Sequence, residues 1–335
     1  MRCCGQATDG FLNVNKPAGK TSFGVVAQVR RLTGVKRVGH AGTLDPLATG
    51  ALPVCLGQAT RLVEYLSDST KTYLAGIELG VTTDTYDAEG SVLQRMDCSG
   101  VTREQVDTAL ATFLGQTTQT PPRYSAIKLK GRPSYKLARA GIDATPAPRT
   151  ITIHRILLLD WQPPIVTAEI ECARGTYIRS LAQDLGQKLG CGAYLKSLVR
   201  TRDSIFNLED AVTLDQLTEA VNAGYWESLL YPMDSILSHW PAAVVGGDKE
   251  KAVRNGVSVA LETGGTLARA YSQDGCLLSV LRYDAVTALW HPEKVFGAGG
   301  CPHATSCGGQ GQKPCEQAGA PGADSPSTPA PGQTA

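Results

Sequence analysis

Between Val38 and Gly50, two side chains are capable of acid, base or nucleophilic work. They are His40 and Asp45, set among three glycines and a proline. Thr43 and Thr49 are weaker candidates. A carboxylate can form a covalent intermediate that splits one hard step into easier ones, or it can move protons. Loops carried by a rigid scaffold are where such side chains collect. Asp45-Pro46 is equally ordinary turn chemistry, because aspartate bonds its own downstream backbone and proline pre-sets φ. His40, with Gly39 and Gly42 nearby, reads equally well as a satisfied structural histidine. Residue chemistry alone favours a turn.

The neighbouring elements would have to hold this loop. Phe11 to Val14 reads as a strand that stops at Lys16-Pro17. Phe23 to Leu32 is an amphipathic helix, with apolar residues at 25, 26, 29 and 32 and Thr21 and Ser22 as cap types. Ala51–Leu56 and Lys71–Leu79 have strand character, and Ala59–Leu66 helical character. Thr102 to Leu114 is a helix opened by a Thr102/Gln105 capping box. Thr150–Leu159 and Ile165–Cys172 are expected strands around Pro163-Pro164. Thr176 to Leu189 is an expected helix with apolar positions 178, 181, 185 and 189. Leu208–Val212 and Leu214–Ala223 are short helices. From Pro232 onward short strands follow, at 243–245, 266–271, 276–283 and 285–290. Strands and helices in mixed rather than alternating order predict an α+β fold.

The 335 residues leave room for a large and a small domain, and 42% hydrophobic against 19% charged residues suits a core-forming protein. No apolar run is long enough to span a bilayer, and the first residues lack a signal-peptide core, so the cytoplasm is the expected compartment. The ten cysteines contain no C-x-x-C pair. Cys55 and Cys172 lie in apolar runs and read as small hydrophobes. Cys301, His303, Cys307 and Cys315 could ligate a metal, but they lie in a Gly/Pro/Ser-rich tail that cannot form a core; disorder is expected there and no metal. Net charge is +1, yet residues 121–149 hold seven basic side chains (Arg123, Lys128, Lys130, Arg132, Lys136, Arg139, Arg149) against Asp143 alone. Tyr124 and Tyr135 are interleaved, a mixture that fits an RNA grip as well as it fits a solvated loop.

The string Gly39-His40-Ala41-Gly42-Thr43-Leu44-Asp45-Pro46-Leu47-Ala48-Thr49-Gly50 closely resembles the central motif of the bacterial tRNA pseudouridine-55 synthases, the TruB family. Further strings resemble the family in the same order. Asn15-Lys16-Pro17-Ala18-Gly19-Lys20-Thr21-Ser22 is similar to its lysine–proline motif, and Lys71-Thr72-Tyr73 to its tyrosine motif. Leu79 to Asp87 is similar to the loop that follows, and Thr120 to Lys128 to its RNA-binding insertion. Gly175-Thr176-Tyr177-Ile178-Arg179-Ser180-Leu181 resembles its arginine motif. Together these cover about residues 10–210. Asn15 for aspartate, Ala41 for threonine and Ala173-Arg174 for a serine–lysine pair are departures, none at a proposed catalytic position.

The resemblance implies a pseudouridine synthase fold: a mixed, largely antiparallel central sheet flanked by helices, plus a small β-rich domain. The implied division is 1–9 as an N-terminal extension, 10–231 as the catalytic domain with an RNA-binding insertion at about 115–150, 232–298 as a small PUA-like RNA-binding domain, and 299–335 as the tail. It implies isomerisation of uridine-55 in the tRNA T-arm, without cofactor, metal or guide RNA, by a monomer. Asp45 would be the nucleophile, with attack on ribose C1′, addition to base C6 and a glycal route all open. Arg179 would pair with Asp45 and Tyr73 would stack on the uracil. Leu198 would line the base pocket, and His40 would fill the space the flipped base vacates. Lys16 would act on the substrate side by supporting the loop, and Arg123, Lys128 and Lys130 would bind RNA. A guide-dependent synthase and a non-catalytic RNA-binding or tRNA-folding protein are the competing readings. The basic insertion speaks against the first, and the joint presence of Asp45, Tyr73 and Arg179 against the second.

Overall fold

The computed structural model describes residues 8–66, 70–125 and 146–297, together with 127–129, 131–134, 137, 140 and 142. Its strands, in chain order, are β1 (Gly10–Lys16), β2 (Val38–His40), β3 (Thr49–Leu56), β4 (Lys71–Leu79), β5 (Val81–Thr83), β6 (Val92–Arg95), β7 (Gly115–Gln119), β8 (Lys128–Leu129) and β9 (Arg132–Pro133). They continue as β10 (Arg149–Gln162), β11 (Ile165–Cys172), β12 (Ala193–Asp203), β13 (Phe206–Asn207), β14 (Leu230–Tyr231), β15 (Ala242–Val244), β16 (Leu267–Tyr271), β17 (Leu277–Asp284) and β18 (Leu289–Val295). The helices are α1 (Ser22–Thr33), α2 (Arg103–Ala111), α3 (Ile178–Lys188), α4 (Leu214–Ala223) and α5 (Gly247–Arg254).

The large sheet runs β14-β1-β3-β12-β4-β11-β10-β7, with β2 on β3 and β13 on β12. Its ladders are antiparallel except for β12 against β3, which is parallel. The expected α+β class and mixed, largely antiparallel sheet are therefore present. A second sheet, β15-β16-β17-β18, occupies the C-terminal part.

Local chemistry explains the elements. Thr21 caps α1 by accepting from Gly24 N–H at 2.9 Å, and Gly34 ends it at φ 71, a left-handed position suited to glycine. The helix buries Val25, Val26 and Val29 at the predicted spacing. At α2 both halves of the Thr102/Gln105 capping box are made. β11 alternates half-buried and buried residues along its length, a period-2 strand with Val166, Ala168, Ile170 and Cys172 facing the core. The thiols of Cys55 and Cys172 are buried as expected, and burial pushes them up to about 12 and about 11, beyond reactivity at neutral pH.

Several expectations change. The helix expected at Ala59–Leu66 is present as a 3₁₀ helix and starts two residues earlier, at Gly57. Residues 115–119, at the start of the expected insertion, form β7 on the main sheet and pair with β10 from Arg149. The last strand starts at Leu289, because Asp284 turns the chain by accepting from Val286 N–H and Thr287 Oγ1 and Ala288 takes φ 55. β12 and α5 carry no earlier expectation. Asp9, assigned to an extension, belongs to the folded part: its carboxylate accepts from Gln58 N at 2.7 Å and Gln58 Nε2 at 2.9 Å. Gln58 Oε1 in turn accepts from Gly297 N at 3.1 Å. Residues 1–7 and the cysteine- and histidine-containing tail lie outside the described residues.

A core cluster joins the two sheets, with Phe11, Cys55, Leu62 and Phe206 meeting Ile236, Leu277, Val280 and Phe296. Truncating one such side chain, Phe206 for instance, to alanine would cost about 3–5 kcal/mol. Arg61 reinforces the junction by donating to the Val295 carbonyl at 2.5 Å while its guanidinium covers the Phe296 ring.

Candidate active site

The catalytic-loop candidate runs from Ala41 to Ala48, between β2 and β3. Its aspartate is a turn residue as well as a reactive one, since Ala48 N–H donates to the Asp45 carbonyl at 3.1 Å around Pro46. Three neighbours fix the turn. Buried Ser22, at the start of α1, donates its hydroxyl to the Leu44 carbonyl at 2.9 Å and accepts from Leu44 N–H at 2.8 Å. Gly19 N–H donates to the Pro46 carbonyl at 2.8 Å. Lys16, fully buried on β1, donates Nζ to the carbonyls of Pro17 (2.9 Å), Lys20 (2.5 Å) and Pro46 (3.1 Å). Burial lowers the Lys16 pKa to about 8, with Asp45 opposing. Lys16 therefore holds the loop, and its ammonium is not offered to a substrate phosphate.

Asp45 is gripped by Arg179 from the first turn of α3. Nε lies 2.9 Å from Oδ2 and Nη2 3.1 Å from Oδ1, a two-point carboxylate–guanidinium pair. The guanidinium is itself buried and surrounded by acceptors: Asp87 Oδ2 at 3.3 Å from Nη1, and the carbonyls of Tyr124 at 3.0 Å and Thr85 at 3.4 Å. Asp87 is buried too, and accepts from Thr85 Oγ1 at 2.5 Å and Glu89 N–H at 3.1 Å. Arg179 thus stands between two carboxylates and can move toward neither without losing the other. Burial raises the Asp45 pKa above the ordinary carboxylate value and Asp87 adds to the rise, while Arg179 and Lys16 oppose it.

These groups wall an open cavity of about 880 Å³, lined among others by Asp45, Tyr73, Asp87, Arg179 and Leu198. The cavity has room for a nucleotide: base, sugar and phosphate. Tyr73 on β4 and Leu198 on β12 enter from adjacent strands, where Leu198 pairs with Ala75 and Tyr73 with Arg200. Burial drives the Tyr73 hydroxyl far above its ordinary pKa, so it stays a neutral donor and acceptor at physiological pH. Arg149 and Arg174 stand at the rim, and Arg149 covers the Tyr177 ring at 4.8 Å.

The structure brings Asp45, Tyr73, Arg179 and Leu198 to one cavity. His40 is on β2, opposite Val54 and outside the cavity lining; burial and Arg200 lower its pKa, which favours neutral imidazole. Arg123 is exposed, beside the cavity-lining Tyr124. Lys128 contributes backbone to β8, paired with β9, whereas Lys130, Tyr135, Lys136 and Arg139 lie outside the described residues. Asp87, Ser22 and the Tyr124 carbonyl were not legible as site groups. Asp87 fell within the quoted Leu79–Asp87 string but without a role, and the structure gives Tyr86 in that loop φ 64. Among the described residues no His, Cys, Asp and Glu cluster is arranged to hold a metal, and no helix is long and apolar enough to cross a membrane.

The chain is similar to known proteins over most of its length. Residues 30–178 match the model of the TruB family pseudouridylate synthase N-terminal domain, and 179–238 that of the tRNA pseudouridylate synthase B C-terminal domain. The chain is 47% identical over 290 residues to the tRNA pseudouridine synthase B of Dehalococcoides mccartyi, covering 86% of this chain and 96% of that protein. To the protein of that name from Thiobacillus denitrificans it is 42% identical over 287 residues, covering 85% and 95%. Among solved structures, the chain is similar to one in an H/ACA RNP bound to a substrate RNA containing 2′-deoxyuridine, with TM-score 0.66 and 25% identity over 87% of this chain and 86% of that one. A chain of a Cbf5-Nop10-Gar1 complex gives TM-score 0.66 and 26% identity, covering 87% and 85%.

Proposed function

The chain belongs to the TruB family of pseudouridylate synthases, enzymes that pseudouridylate tRNA, and on that premise we propose that it converts uridine-55 of the T-loop by base flipping, with Asp45 as nucleophile and without a guide RNA. The observation that carries this reading is the two-point Arg179–Asp45 pair on the wall of a cavity with room for a nucleotide, which Tyr73 and Leu198 also line.

The reaction breaks the bond from N1 to ribose C1′, turns the uracil and joins C5 to C1′. The C5 proton is lost and N1 gains one, so atoms and charge balance without a redox partner. Asp45 works ionised, and Arg179 aims its carboxylate oxygens. The Tyr73 ring stacks on the detached uracil while its neutral hydroxyl offers a hydrogen bond, and Leu198 closes the apolar side of the slot. Drawing the uridine from its stack costs a few kcal/mol, which phosphate contacts at the rim, from Arg149, Arg174 and the 120–148 segment, offset. The acting form is a cytoplasmic monomer that needs no cofactor.

The test is direct. Purified protein is incubated with unmodified tRNA transcript and no other RNA, and pseudouridine is mapped by carbodiimide treatment and reverse transcription. Modification at the T-loop uridine is expected; its absence would overturn the reading, and activity that appears only with an added guide would favour the H/ACA-like alternative. Asp45→Ala should abolish turnover while tRNA affinity stays within about twofold, since phosphate contacts that position the RNA lie elsewhere.

A further inference from the structure

Arg200 lies at the cavity wall and has none of the roles assigned above. It is fully buried, and a guanidinium taken out of water is tolerated only when its donors are matched. Nε donates to the Ala51 carbonyl at 2.7 Å and Nη2 to the Gly42 carbonyl at 3.3 Å. Nη1 is 3.2 Å from Oδ2 of Asp203, which is also fully buried and whose Oδ1 accepts from Lys71 Nζ at 2.9 Å. The carbonyls of Gly42 and Ala51 bracket the turn that bears Asp45.

The sheet register adds a second, independent observation. β12 pairs with β3 at two positions, Val199↔Thr49 and Arg200↔Gly50. On its other side, Arg200 is the register partner of Tyr73. The ladder between β12 and β3 is thus short at the point where the loop joins the sheet, and the Arg200 side chain continues the connection. The approach there is close: Gly50 holds φ 105, and a Cβ added to it would sit 2.2 Å from the Arg200 carbonyl oxygen.

We infer that Arg200 is a positioning residue of the isomerisation: by holding both ends of the Asp45 loop while standing opposite Tyr73, it sets the distance from the carboxylate to the ring that carries the uracil. Asp203, tied to Lys71, fixes the guanidinium in turn. This rests on the function proposed above and adds the residue that couples its two halves. A displacement of about 1 Å at a reacting centre is enough to cost about 10²-fold in rate.

The experiment compares Arg200→Lys, Arg200→Met and Asp203→Asn in the full chain, acting on unmodified tRNA. Single-turnover rates at saturating enzyme are read beside tRNA Kd. Arg200→Met should fall about 10²-fold or more and Arg200→Lys less, because an ammonium can still hold one loop carbonyl. Asp203→Asn should fall in the same direction, with Kd within about twofold throughout. Unchanged rates in the folded variants, or a Kd that rises as much as the rate falls, would overturn the inference, since a merely structural arginine would give no such split. Amide exchange at Ala41 and Ala48, compared between the wild-type chain and Asp203→Asn, decides the matter even if an Arg200 variant fails to fold: faster exchange in Asp203→Asn is expected, and unchanged exchange would refute the tether. A wild-type chain inactive on tRNA would instead count against the functional reading, and the exchange result would still judge this one.

Discussion

Neutralising Asp87 changes two forces on Asp45 at once. It removes a like charge that raises the Asp45 pKa, and it releases Arg179 to pair with Asp45 alone. Both effects lower that pKa. On the proposed role, in which Asp45 acts ionised, its raised pKa means that kcat/KM should fall as pH drops through a value higher than a free aspartate's. In Asp87→Asn this acid limb should move to lower pH, as a pH–rate profile would show; a limb that stays in place or moves upward counts against the shared-arginine geometry. Tyr73→Phe keeps the stacking ring and loses the hydroxyl, so single-turnover pseudouridine formation should drop by about 10²-fold or more while tRNA Kd holds. Of the groups behind these tests, Asp45, Tyr73 and Arg179 were legible because each lies within a family string. Asp87 was quoted within one and given no role, since an exposure of only 2% and a contact with Arg179 are properties of the fold, absent from the letters.

The loop is held by elements with different legibility. α1, α2, β4 and β11 show their hydrophobic period or caps in the sequence, and the structure has them within a few residues of expectation. β12 was hidden, although it is the strand between the catalytic loop's strand and the tyrosine's. Its Lys196, Arg200, Arg202 and Asp203 break the apolar alternation, and two of these charges, Arg200 and Asp203, are buried as a pair. A buried pair satisfies a core by geometry that no period reveals. Gly50 is the matching test on the other side of the seam. Gly50→Ala places a methyl against the Arg200 backbone at a left-handed φ, and the chain should lose more than about 2 kcal/mol, measured as a lowered denaturant midpoint. An unchanged midpoint would mean that the β3–β12 approach is looser than described.

At the scale of the molecule, charge is arranged rather than abundant. A net +1 would not announce a polyanion-binding protein, yet Arg149 and Arg174 stand at the cavity rim with Arg123 exposed nearby. Arg174→Glu should weaken tRNA binding and flatten the slope of log Kd against log salt by about one phosphate contact, read by filter binding or fluorescence titration; an unaltered slope removes Arg174 from the RNA face. The C-terminal strands were foreseen, but their shared core with β1, β3 and the 3₁₀ segment was not, because Phe11, Phe206 and Phe296 meet from positions far apart in the chain. That same junction carries Gln58, which binds Asp9 through its amide nitrogen and Gly297 through its carbonyl oxygen. Asp9 and Gly297, near the two ends of the described span, therefore lie within one side chain of each other, and the order of the segments between them is interchangeable along the backbone. A circular permutant that joins them by a short glycine–serine bridge, and opens instead at the exposed turn 285–288, should fold to the same sheet and keep the same cavity.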